Sequence, residues 1–224
     1  MPTSRERGRH AGLSRGAILD AAVALVDRDG LAALSMRRLG TALGVEAMAL
    51  YHHFPSKGAL LDGLVERLVG AVALPGEADE DWRDGLRRYA GSALETLAAH
   101  PNLVSLMLTR PGDTAANHEV MESLLLVLVH SGFEPGRALD LLYALNSLIV
   151  VNGALRAGGG PEPRGEEAQT GRLGALSPQD YPLLVEAARA GRDRGPTARF
   201  DAAVDALLVG FTPSAASLPP GPAR

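Results

Sequence analysis

Leu34 to Lys57 reads LSMRRLGTALGVEAMALYHHFPSK, a stretch whose polar side chains are mostly hydrogen-bond donors suited to anions. Arg37 presents a planar fork that matches a guanine edge or a phosphate, and Arg38 suits a phosphate. Ser35, Tyr51, His53 and Lys57 each supply a donor for a phosphate oxygen, with Lys57 helped by the unpaired amides of the helix it opens. His52 suits a base edge or a phosphate. Ala47 and Met48 are apolar groups of the kind that meet thymine methyls, and Ala49 is small enough to let its backbone come close to a duplex. Taken singly, each is equally an ordinary solvated surface group. As a set on one short segment they point to double-stranded DNA.

That chemistry needs two short helices crossing at close range. The middle of the first needs a small residue, the turn needs one tolerant of positive φ, and the second needs an apolar anchor. Gly40, Gly44 and Leu50 stand at those three places, with Leu39, Leu43 and Val45 completing a small core. A glycine inside a helix costs about 1 kcal/mol relative to alanine, so close packing explains Gly40 better than propensity does. A plain helical hairpin can carry the same three residues. The spacing predicts a helix from a Ser35 cap to Leu43, a turn at Gly44 and Val45, and a second helix over 46–53 that Pro55 ends. Before this pair, Ser14 caps a helix that places Ile18, Ala22, Leu25 and Val26 on one face and stops at Gly30. After it, Ser56 caps a fourth helix carrying Leu60, Leu61, Leu64, Val65, Leu68 and Val72.

The whole chain of 224 residues carries net charge −4, yet residues 1–58 hold eight Lys or Arg against five Asp or Glu. One end is therefore +3 and the remainder −7. Such a balance lets one end approach phosphate and disfavours a general DNA-compacting role for the rest. Residues 1–13 form a basic arm with Arg5, Arg7, Arg9 and His10, suited either to a minor groove or to adding charge. With no cysteine there is no disulfide, thiolate nucleophile or thiolate zinc site, in keeping with a reducing cytoplasm. The basic, polar start is no signal peptide. Leu139 to Leu155, interrupted by Asp140 and Asn146, falls short of the roughly 18 residues of a membrane span.

Hydrophobic residues make up 46% of the chain and aromatic ones only 4%, so its core must be built of Ala, Leu and Val, which favours helices. The sequence predicts an all-α fold. Residues 14–58 form a small three-helix DNA-binding domain with the helix-turn-helix, 59–74 a connecting helix, and 75–212 a larger helical bundle. In the bundle, helices are predicted near 81–99, 102–109, 113–131, 135–157, 179–190 and 197–210. Residues 158–178, rich in Gly, Pro and Glu, read as a mobile loop, and 213–224 as a flexible tail.

The stretch Leu34 to Lys57, and its LYHHFPSK block above all, closely resembles the DNA-binding domain of the TetR family of bacterial repressors. Asp81-Trp82, His100-Pro101, Thr109-Arg110-Pro111 and Gly132-Phe133 resemble the C-terminal domain of its tetracycline-repressor class. The resemblance implies an all-helical homodimer whose C-terminal domain binds an effector and whose last helices pair across a two-fold axis. It also implies that Tyr89, Leu106, Thr109, Arg110, Leu124, Leu142 and Asn146 line the effector site, although each suits plain packing equally well. Arg110 either anchors a ligand carboxylate or caps helix carbonyls. Where that class uses two histidines for its drug and magnesium, this chain aligns Ala73 and Leu106, which argues against magnesium–tetracycline.

The residues independently allow a dimer, since the segments 135–157 and 197–210 carry the apolar sets Leu139, Leu142, Leu145, Ile149 and Phe200, Val204, Leu207, Leu208. One helix is then core and the other interface. A dimer reads two half-sites about 34 Å apart, so the operator is expected to be an inverted repeat. There is no phosphate loop, nucleophile elbow or metal triad, so no enzyme, metal or cofactor is expected. His118 and Glu122 read as a solvated pair rather than metal ligands. The sequence is thus read as a soluble cytoplasmic repressor released by a small organic effector through a population shift. Two rivals remain: an activator of the same fold, and a helical dimer that binds DNA or a partner without a small-molecule response.

Overall fold

The computed structural model describes residues 13–76, 81–110, 112–157, 166–191 and 194–213. The basic arm up to residue 12, the segment 158–165 and the tail from residue 214 lie outside the described residues. Those described are helical or irregular, in agreement with the all-α expectation.

Four helices make the first domain: α1 (Arg15–Asp29), α2 (Met36–Leu43), α3 (Ala47–Tyr51) and α4 (Lys57–Val69). Their N-termini are set by serines, because a side-chain oxygen there satisfies an amide that has no partner inside the helix. Ser14 Oγ accepts from the Ala17 amide at 3.1 Å, Ser35 Oγ from Arg38 at 3.2 Å and Ser56 Oγ from Ala59 at 3.0 Å. Helix α3 is shorter than the predicted 46–53, because Glu46 caps it without a side-chain bond and the chain turns at His52 toward Pro55. Helix α4 ends at Val69, so Val72 lies beyond it and packs against the second domain's core.

The second domain comprises α5 (Trp82–Ala99), α6 (Val104–Thr109), α7 (Ala115–His130), α8 (Pro135–Ala157), α9 (Glu166–Gly174), α10 (Pro182–Ala190) and α11 (Pro196–Gly210). Short 3-10 turns at Leu31–Ala33 and Pro101–Leu103 join α1 to α2 and α5 to α6. The expected loop over 158–178 is corrected in part: residues 166–174 form α9, which packs against α10. Helix α9 buries few side chains, so no apolar stripe marks it in the sequence.

Two cores result. One gathers Ile18, Leu25, Leu39, Leu50, Phe54, Leu60 and Leu64, and the other joins α5, α7, α8 and α11 through Leu86, Leu94, Leu128, Leu141, Leu145, Phe200 and Leu208. Trp82 meets Phe133 edge-on at 4.8 Å in the second. The two cores share side chains across the domains. Leu103 and Leu106, placed by sequence in the second domain, bury their side chains in the first core. Helix α8 is a further correction: at 23 residues it is long and apolar enough to cross a membrane. Its inner face, with Leu141, Leu142, Leu145 and Ile149, is instead committed to the second core.

Candidate DNA interface and effector domain

The three positions that the helix-turn-helix requires are occupied as expected. A Cβ on Gly40 would lie 2.9 Å from the Val45 carbonyl oxygen and 3.2 Å from the Ala47 amide nitrogen, so α2 and the start of α3 meet backbone to backbone. Gly44 adopts φ 69° and ψ 28°, the left-handed conformation. The turn it makes is closed by the Gly44 amide donating to the Thr41 carbonyl at 3.2 Å and the Val45 amide to the Gly40 carbonyl at 2.9 Å. These are the two bonds that satisfy the last carbonyls of a helix ended by a left-handed glycine. Leu50 is fully buried.

With Leu50 turned inward, α3 shows its other face to solvent. Met48 is 71% exposed and Tyr51 42%, His52 is exposed, and Ala47, Ala49 and His53 are half-buried. Arg37 lies exposed on the first turn of α2, and Lys57 is exposed at the start of α4. Ser35 spends an oxygen lone pair on capping and keeps its hydroxyl proton for an outside acceptor. Arg38 is already engaged, its Nη2 lying 2.7 Å from the Asp29 carboxylate. Sequence reasoning missed Arg15, which lies 4.3 Å over the Phe54 ring and donates to the His53 carbonyl at 3.3 Å, holding the segment that follows α3.

Of the residues expected to line an effector site, four come together inside the second core. Tyr89, Leu124 and Leu142 are buried, and the Tyr89 hydroxyl donates to Asn146 Oδ1 at 2.8 Å. Burial pushes the Tyr89 phenol up to about 12, partly offset by that bond. Among the described residues the Asn146 amide donates to the soft sulfur of Met121, at 3.8 Å. One turn earlier on α7 stands Asn117, buried, with an Oδ1 that has no hydrogen-bond partner among the described residues. Neither Met121 nor Asn117 was singled out from sequence. Their register was legible, however, because Thr114 caps α7 and places 117, 121, 124 and 128 along one face.

The other three are elsewhere. Leu106 belongs to the first core, and Thr109 is exposed with its hydroxyl on the Ser105 carbonyl at 2.8 Å. Arg110 joins the two domains: its Nε donates to Asp62 Oδ1 at 2.8 Å and its Nη2 to the Gly58 carbonyl at 3.2 Å, both on α4. Of its two expected roles, anchor or cap, the geometry shows a carboxylate partner within the chain and a carbonyl at the first turn of α4. Ahead of α6, Asn102 donates to the Val26 and Asp27 carbonyls at the end of α1, and His100 Nδ1 lies 2.8 Å from Asp27.

Among the described residues no group of three His, Asp or Glu is placed to hold a metal ion. His118 pairs with Asp113 at 3.1 Å, not with the expected Glu122.

Comparison with known proteins agrees with this architecture. Residues 18–64 match the model of bacterial regulatory proteins of the tetR family, and residues 74–213 match that of the tetracyclin repressor-like C-terminal domain. The chain is 33% identical over 203 residues to the tetracycline repressor protein class A from transposon 1721 of Escherichia coli, covering 89% of this chain and 90% of that one. It is 32% identical over 212 residues to an HTH-type transcriptional regulator of Saccharopolyspora erythraea, covering 91% and 86%. In structure it is similar to TetR-Q116A from Acinetobacter baumannii AYE in complex with minocycline, at TM-score 0.68 and 26% identity, over 89% and 93% of the two chains. The fold is also that of apo ActR from Streptomyces coelicolor, at TM-score 0.78 and 22% identity, over 90% and 96%.

Proposed function

The chain belongs to the tetR family of bacterial regulatory proteins and is a ligand-responsive DNA-binding repressor, and we propose that it binds a palindromic operator as a homodimer and leaves it when a small organic effector enters the second domain. The observation that carries this reading is the exposed face of α3. Met48, Tyr51 and His52 project from a helix whose opposite side is pinned by Leu50, with Arg37 beside them on α2. Recognition helices present their outer side chains to the major groove, while positions around them take phosphates. Ser35, Arg38, His53 and Lys57 are assigned to phosphate, Ala47 to a thymine methyl and Ala49 to close backbone approach.

The effector is assigned to the interior around Tyr89, Leu124, Leu142 and Asn146, where apolar walls carry a few polar groups, as small-molecule sites do. Asn117 and Met121 join that set. Magnesium–tetracycline does not fit this chain, because neither Ala73 nor Leu106 carries a metal-ligating atom and Leu106 is buried in the first core. The protein is read as a cytoplasmic regulator without catalytic activity.

Support for the dimer comes from two stripes that face away from the core. On α8, Tyr143, Val151 and Leu155 are exposed at multiples of four residues, and on α11 the exposed apolar residues are Ala198, Ala202, Ala206 and Val209, beside the exposed Asp201 and Asp205. Both helices therefore serve core and interface at once, in place of the division between them that the sequence suggested.

Fluorescence anisotropy of the purified protein on DNA flanking its own gene, over a salt series, tests the reading. Arg37→Ala and Tyr51→Ala are expected to weaken binding by about 1–3 kcal/mol each if they touch bases. Wild-type protein that binds no duplex at any salt would sink the assignment and favour a helical partner-binding protein.

A further inference from the structure

Arg28 lies at the end of α1, outside the helix-turn-helix, and nothing above gives it a role. Its Nε and Nη2 each lie 3.0 Å from an oxygen of Asp29, and the second of those oxygens also takes Arg38 Nη2 at 2.7 Å. One carboxylate thus holds two guanidinium groups from two different helices. It is the less exposed partner, with 24% of its side chain accessible against 65% for Arg28 and 49% for Arg38. The pairing pushes the Arg28 pKa up and the Asp29 pKa down. Beside them opens a shallow cleft of about 440 Å³ lined by Leu25, Arg28, Arg37, Arg38, Thr41 and Ala42. Arg37 lines the same cleft and has no ion-pair partner among the described residues, so three arginines stand with one carboxylate and the group is +2.

Helix stability does not account for the arrangement. Residues adjacent in sequence do not support one another across a helix surface, and exposed ion pairs contribute little to folding. Positioning does account for it. A free arginine loses considerable rotamer freedom when it meets a phosphate, and a side chain held in place beforehand loses less. The acceptor this geometry suits is an oxyanion with several oxygens, and Arg37, assigned above to DNA, lines the same cleft.

We infer that Asp29 is a positioning residue that holds Arg28 and Arg38 as a phosphate clamp beside Arg37, extending the DNA contact from the helix-turn-helix onto the end of α1. The inference rests on the DNA-binding reading, and its sign separates it from simple electrostatics. Removing a negative charge next to a phosphate tightens binding if charge alone matters. Removing the residue that organises two arginines weakens it.

The experiment uses a duplex selected by the full-length wild-type protein from a random-sequence pool, with anisotropy titrations between 50 and 200 mM salt, the range in which phosphate contacts register. Asp29→Asn is expected to weaken binding about two- to five-fold, the size of an exposed ion pair. Arg28→Gln is expected to reduce the slope of log affinity against log salt by about 1.8, one phosphate contact from each of the two protomers. In an Arg28→Gln, Arg38→Gln background, Asp29→Asn should have no further effect. Tighter or unchanged binding by Asp29→Asn, an unaltered slope for Arg28→Gln, or an Asp29→Asn loss that persists in the double background would each overturn the clamp. Should Arg37→Ala abolish binding while the Asp29 and Arg28 variants match wild type, the clamp fails and the regulator stands. If wild type selects no duplex, both fail.

Discussion

Tyr89 brings a phenol into a core otherwise built of apolar side chains, and the structure meets its one donor with Asn146 Oδ1. An unpaired buried hydroxyl costs on the order of 1–3 kcal/mol, so the asparagine on α8 is a structural partner in its own right. Because burial raises the phenol from 10.0 to about 12, the folded state holds the Tyr89 proton more tightly than the unfolded chain does. Its contribution to stability is therefore complete below pH 10 and is lost as pH rises from there to about 12. In urea titrations across that window, wild type should lose on the order of 3 kcal/mol more than Tyr89→Phe, which has no proton to release. Parallel curves for the two proteins would mean that the phenol is solvated. Hydrogen-bonding capacity remains on α7 and α8, since among the described residues Asn117 Oδ1 is unpaired and the Asn146 amide has only a thioether. An effector bearing both a donor and an acceptor would complete those bonds.

At the level of elements, Gly40 decides whether α2 and α3 can cross. An alanine there improves helix propensity by about 1 kcal/mol but drives a methyl to 2.9 Å from the Val45 carbonyl oxygen, a backbone atom held by the Gly44 turn. Overpacking of this kind costs about 1–3 kcal/mol, so Gly40→Ala should lower the thermal midpoint and weaken operator binding together, by tilting α3. A higher midpoint would show that the crossing has room to spare. This part of the molecule was legible in the sequence because each determinant is local. A serine caps the helix that follows it, a left-handed glycine ends the one before, and Leu50 is the apolar anchor a few residues on. Determinants that act across the chain were not legible in this way. Leu106 reads as one more apolar residue of a short helix, and only the packing of α6 against α4 places it in the first core. Arg110 offers no sign in its neighbours that its partners are Gly58 and Asp62. Helix α9 was missed because it has no apolar stripe to betray it. The effector residues were split in the same manner, with those in the middle of α5, α7 and α8 brought together and those on α6 not.

For the molecule as a whole, the two domains are joined by side chains of the second inserted into the first. Leu103 and Leu106 enter the first core, Asn102 and His100 grip the end of α1, and Arg110 grips α4. Any change in how α6 sits is thereby delivered to the helices that carry the helix-turn-helix, which is what release by an effector requires. That coupling changes operator affinity only if two such units are held at a fixed spacing, because a single short recognition helix makes too few contacts for a tight specific site. The outer stripe of α8 is where the pairing is expected, and Val151, 52% exposed at its centre, is the residue to test. A carboxylate at that position would be desolvated against its own symmetry mate, where like charges repel. Val151→Glu should therefore shift sedimentation from dimer to monomer while leaving the helical circular dichroism unchanged, since the side chain takes no part in the second core. Operator affinity should fall with it, and the salt slope should drop toward half, because one domain rather than two now neutralises phosphates. A variant that remains dimeric and binds at wild-type strength would move the interface off this face of α8.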